Sequence, residues 1–63
     1  MTNLKRIRES QGLTQSDLAI LSDVNLRTIQ NYEQGFKSIN RANVWTCIRL
    51  ARALGCSLLD ILE

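Results

Sequence analysis

Arg27, Gln30, Asn31 and Gln34 lie close together in the segment 26–34. Their donors and acceptors match the exposed edges of base pairs. An arginine can bridge O6 and N7 of guanine, and a glutamine or asparagine can pair with N6 and N7 of adenine. Wound as a helix at about 100° per residue, the segment divides into two arcs. Thr28, Ile29, Tyr32 and Glu33 share one arc; Leu26, Arg27, Gln30, Asn31 and Gln34 share the other. Ile29 and Tyr32 are natural core contacts, so the second arc should face outward. A short exposed helix carrying this set has the chemistry of a major-groove reader. On residue types alone, a solvated polar face is the plain alternative.

Other chemistries find little support. The 63-residue chain has no histidine, which removes the commonest general base and makes a zinc site improbable on its two cysteines. No nucleophile–base pair stands out, so the expectation is not an enzyme, with no metal, no cofactor and no small-molecule ligand. Cys47 and Cys56 read as small core fillers kept reduced. The start, Met1-Thr2-Asn3-Leu4-Lys5, leads straight into an amphipathic pattern rather than a signal peptide. No apolar run approaches the roughly 20 residues that span a bilayer. A cytoplasmic protein without membrane contact is expected.

The elements that must hold the polar arc are helical. Proline is absent and glycine occurs only at 12, 35 and 55, a composition of helices with a few sharp stops. Thr2 or Asn3 can cap a first helix running to Gln11, with Leu4 and Ile7 inward. Thr14 caps a second, with Asp17 in its first turn and Leu18, Ala19 and Ser22 inward. Asn25 caps the third, from Leu26 to about Gln34. Residues 36–40 are the longest irregular stretch. Asn40 or Asn43 then caps a fourth helix ending at Leu54, with Val44, Cys47, Leu50, Ala51 and Leu54 inward, and Ser57 with Asp60 opens a last short one. The expectation is an all-α fold of five helices, residues 1–63 forming one domain.

Net charge is only +2, but it is unevenly placed. Lys5, Arg6 and Arg8 against Glu9 make residues 1–12 basic, and Arg27, Lys37 and Arg41 against Glu33 make residues 25–42 basic. Asp17 and Asp23 make the stretch between them acidic. Arg49 and Arg52 balance Asp60 and Glu63 in the rest.

A helix of about eight residues, a turn of about three and a second helix with a polar outer face is the helix-turn-helix plan. The run Leu13-Thr14-Gln15-Ser16-Asp17-Leu18-Ala19, followed by Val24-Asn25-Leu26-Arg27-Thr28-Ile29-Gln30-Asn31-Tyr32-Glu33-Gln34-Gly35, closely resembles the Cro/lambda-repressor-like (XRE-type) helix-turn-helix family. The motif occupies about 14–34. The basic first segment and Leu50-Ala51-Arg52-Ala53-Leu54-Gly55-Cys56-Ser57 extend the likeness over nearly the whole chain.

The resemblance implies roles. Leu26, Arg27, Gln30 and Asn31 occupy its base-reading positions, while Gln15, Gln34, Lys37 and Ser38 occupy its phosphate-contacting ones. Arg8 and Glu33 resemble a structural ion pair between the first helix and the recognition helix. Three departures stand out. Asp23 replaces the usual turn glycine, Leu26 replaces a polar residue often found at the first reading position, and the segment 36–43 is longer than in the shortest phage members.

Trp45, Ile48 and Leu59 fall outside the inward stripes, and Ile20 and Leu21 replace residues usually charged. Scattered surface apolar residues are ordinary, but Trp45, Ile48 and Leu59 are also candidates for a dimer or partner surface. The function implied is sequence-specific binding of double-stranded DNA by a small transcriptional regulator. A repressor of phage or mobile-element type, dimeric on a two-fold operator, fits best. The alternative is a protein-interaction module such as a toxin-neutralising antitoxin or a helper subunit.

Overall fold

A computed structural model describes all residues from 1 to 63. Five α-helices follow one another: α1 (Asn3–Ser10), α2 (Gln15–Ser22), α3 (Leu26–Glu33), α4 (Val44–Leu54) and α5 (Leu58–Ile61). A short 3-10 turn, Ile39–Arg41, interrupts the segment before α4. There are no strands. Each helix contributes one large, fully buried aliphatic side chain: Leu4, Leu18, Ile29, Leu50 and Ile61. Burying such a side chain is worth about 1.5–3 kcal/mol. The core therefore fails if any one helix is lost. Val24, Ile39, Cys47, Ala51 and Leu54 complete it.

Caps set the helix boundaries. The Thr2 hydroxyl accepts from Lys5 N–H, and Asn3 instead binds the far end of the chain through Leu62 and Glu63. Thr14 and Asp17 form a reciprocal capping box, as do Ser57 and Asp60. The Asp17 carboxyl is held below its ordinary value by the Thr14 N–H and hydroxyl. Asn43, not Asn40, caps α4; Asn40 accepts the Glu63 N–H at 2.8 Å.

The turn between α2 and α3 takes its angle from three consecutive residues. Ser22 is buried, donates to the Leu18 carbonyl at 2.6 Å and accepts from Val24 N–H at 3.3 Å. Asp23 adopts the left-handed conformation with φ 56°. Val24 turns into the core, and Asn25 caps α3 by accepting from Arg27 N–H at 2.8 Å. The aspartate thus supplies the backbone shape that a glycine would provide at lower strain.

Packing then fixes α3. It lies against α1 and α2, while α4 packs on α2 and α5, and α5 closes onto α1. The Gln11 amide donates to the Leu54 carbonyl at 2.6 Å and ties the end of α1 to the end of α4. Cys47 belongs to the core and Cys56 is half-buried; both are free thiols.

Val44 departs from the expected inward stripe. It is 55% exposed. As the first residue of α4 its Cβ points back toward the helix N-terminus, beyond the core, so Cys47 is the first buried contact. Ile48 is half-buried rather than outward, because it flanks the same stripe as Ala51.

Backbone strain at two turns can be weighed directly. Gly55 has φ 65° and open space around the position of a Cβ. Gly55→Ala should therefore destabilise through backbone strain alone, by about 1 kcal/mol. Asp23→Gly should stabilise by about 0.5–1 kcal/mol by relieving the same strain. Urea unfolding midpoints measure both. Equal midpoints for Gly55→Ala and the wild type would contradict this account of the turns.

Candidate nucleic-acid interface

The base of the site is a buried polar cluster under α3. Arg8 reaches from α1 to Glu33 in the last turn of α3, with Nε to Oε2 at 2.7 Å and Nη2 to Oε1 at 2.9 Å. The third guanidinium nitrogen, Nη1, donates to the Leu13 carbonyl at 2.7 Å. Gln15, first residue of α2, donates its amide to Glu33 Oε1 at 3.0 Å. The Glu33 side chain is only 1% exposed, yet its carboxylate accepts three N–H groups. The hydrogen bonds to Glu33 push the Arg8 guanidinium further above its ordinary value, against the opposing effect of burial. A bidentate pair fixes both position and plane.

This cluster orients the rest of α3. Glu33 lies one turn after Ile29, which is fully buried, so two points on the same arc hold the helix. Opposite them, Arg27 is exposed, Gln30 and Asn31 are half-exposed, Leu26 is 37% exposed and Gln34 is exposed. None of these polar side chains is engaged by a hydrogen bond within the chain. The outward arc thus presents a guanidinium, two amides and an apolar patch in the first two turns.

The electrostatics favour an anion. The chain has eight lysines and arginines, and Arg8 alone has a carboxylate within 4 Å. Lys37 and Ser38 line a shallow basin of about 440 Å³ together with Tyr32, Arg41, Ala42 and Asn43. The basin carries two cations and no carboxylate. Burial, with the neighbouring Cys47, pushes the Tyr32 hydroxyl above its ordinary value. Ser38 Oγ accepts from Asn40 N–H at 3.3 Å, which leaves its own proton free to donate.

Sequence reasoning missed part of this basin. Tyr32 reads from the sequence as a core contact, and it is half-buried while also lining the basin. Arg41 and Asn43 lie beyond the expected phosphate-contacting positions; Arg41 is brought in by the 3-10 turn. A cation four residues after Lys37 was the available signal. Gln15 sits at the edge of the cluster with one amide N–H committed to Glu33 and a second to spare. Trp45, 65% exposed, and Leu59, 76% exposed, lie on α4 and α5, elements separate from α3.

Comparison with known proteins gives one family. The family model described as helix-turn-helix matches residues 4–61, from Leu4 of the first core layer to Ile61 of the last. No curated protein and no solved structure matches the chain.

The buried pair makes a stability test. Glu33→Ala strands the Arg8 charge and should cost about 3–5 kcal/mol. At about 0.05–0.15 kcal/mol per residue that is a third or more of what a chain of this size has, so the variant should melt far below the wild type. The double change Arg8→Met with Glu33→Leu should recover much of the loss, since no charge is then left unpaired. Circular-dichroism melts of the three chains decide it. A Glu33→Ala melt indistinguishable from wild type would show that the pair does not hold α3.

Proposed function

The chain belongs to the XRE-type, Cro/lambda-repressor-like helix-turn-helix family of DNA-binding regulators, and from that membership we propose that it is a sequence-specific repressor of the small phage or mobile-element type. The observation that supports this most is the outward arc of α3, where Arg27, Gln30 and Asn31 stand free of internal partners. Lysines and arginines draw the protein to any duplex by displacing counterions. Contacts from Gln15, Gln34, Lys37 and Ser38 to phosphates set the register, and Leu26, Arg27, Gln30 and Asn31 then read base edges. Leu26 supplies an apolar contact suited to a thymine methyl. Regulation acts by occupying the operator. Reduced Cys47 and Cys56 suit the cytoplasm, and no helix is long and apolar enough to cross a membrane.

The operator is expected to be two-fold. The molecule measures 25 Å in its longest dimension, less than the roughly 34 Å between half-sites one helical turn apart. One chain therefore reaches one half-site, and Trp45, Ile48 and Leu59 offer apolar area for a second copy. The exposed Trp45 and Leu59, with Ile20 and Leu21, favour a second reading as a protein-interaction module such as an antitoxin or helper subunit. Sedimentation on a selected duplex separates the two. Two chains per saturated site, with symmetry in the selected sequence, is the expected result; one chain on an asymmetric site would contradict the dimer.

Arg27 gives the sharpest test of reading. It lies in the first turn of α3, the end that enters the groove, and a bidentate pair with guanine is worth about 1–3 kcal/mol of discrimination. Arg27→Ala should weaken binding to the selected operator by that amount and relax preference at one base pair per half-site. Anisotropy titrations on operator and mixed-sequence duplex measure it. Equal loss on both would make Arg27 a phosphate contact and leave reading to Gln30 and Asn31.

A further inference from the structure

Phe36 is an aromatic residue left in water. Its side chain follows Gly35 at the exit of α3, and the residue is 75% exposed. The backbone that carries it is nevertheless fixed: the N–H groups of Phe36 and Lys37 both donate to the Asn31 carbonyl, at 2.9 and 3.3 Å. The point from which the exposed ring springs is thus set relative to the recognition helix. One residue further on begins the basin of Lys37, Ser38, Arg41, Asn43 and Tyr32. Neither basin cation has a carboxylate partner.

A DNA backbone alternates charged phosphates with sugars that present a largely C–H surface. A cationic, donor-rich basin and an exposed apolar ring adjoining it along the chain match the two kinds of unit in that repeat. In a ribose chain the 2′-hydroxyl would set a polar group against the ring. We propose that Phe36 packs on a deoxyribose of the DNA backbone while Arg41 and the Tyr32 hydroxyl hold the adjoining phosphate in the basin. This corner clamps one nucleotide without reading its base, and so fixes how far along the groove α3 lies. The inference rests on the DNA-binding reading above, because α3 and the loop after it must meet the same duplex.

Anisotropy titrations across several salt concentrations test it, with a mixed-sequence DNA duplex and a selected operator as probes. Phe36→Ala should weaken binding about tenfold on both, as expected for apolar area left unburied. Its salt slope should stay at the wild-type value. Phe36→Leu should recover much of the affinity. Arg41→Gln should lower the slope by about one unit on both probes. Phe36→Gln, polar and of similar reach, gives the same reading if Phe36→Ala melts early. Wild-type affinity in Phe36→Ala, or a loss confined to one base pair, overturns the sugar contact. A full salt slope in Arg41→Gln overturns the phosphate contact. A wild-type chain that binds neither probe overturns the DNA-binding reading itself, a result distinct from tight binding that ignores Phe36.

Discussion

The ion pair between Arg8 and Glu33 constrains everything around it. Two charges removed from water are costly, and their attraction offsets that cost only when geometry and further hydrogen bonds are good. Here the carboxylate takes both guanidinium contacts and the Gln15 amide, and the guanidinium also serves the Leu13 carbonyl. Four segments converge on the pair: α1, the turn at Leu13, the start of α2 and the end of α3. Moving α1 or α3 strands a buried charge, and moving either of the others leaves one without a hydrogen-bond partner. The recognition helix is thus held by a requirement for charge balance as well as by the aliphatic contact of Ile29.

That arrangement separates tasks by surface. The arc of α3 that carries Ile29 and Glu33 is spent on the fold, which leaves Arg27, Gln30 and Asn31 without internal partners. The basin after α3 adds cations at the end of the same helix. Trp45 and Leu59 are exposed on α4 and α5, which pack on α2 and α1 rather than forming the main contacts of α3. A duplex on one surface and a second protein on the other need not compete. Small size makes such economy necessary, because a domain of this length buries only about 60% of the surface its unfolded chain exposes.

Much of this was legible in the sequence, for identifiable reasons. Helix boundaries were marked by strong local chemistry: Thr14 with Asp17, Asn25, Ser57 with Asp60, and glycines at 12, 35 and 55. The two arcs of α3 followed from period alone, since Ile29 and Tyr32 leave little choice of face. Two ends of helices were harder. Val44 has the residue type of a core position, but the first residue of a helix points off the core, which periodicity does not see. Lys37 and Ser38 of the basin were legible, but its other wall was not, because it forms from Tyr32 on α3 and Arg41 on a 3-10 turn that carries no periodic signal. Asn40 and Asn43 are equally good caps by type, and only the contact of Asn40 with Glu63 N–H distinguishes them.

A buried charge pair holds the free arc of α3 outward, with the basin at the end of the same helix. Titrating the isotopically labelled protein with a selected DNA duplex and following amide and arginine Nε–H resonances tests it most directly. Perturbations should concentrate on residues 26–41 and include the Arg27 Nε–H, while the Arg8 Nε–H stays protected from exchange with water throughout. Perturbations centred on Trp45 and Leu59 with α3 unmoved, or an Arg8 Nε–H that exchanges freely, would contradict the account.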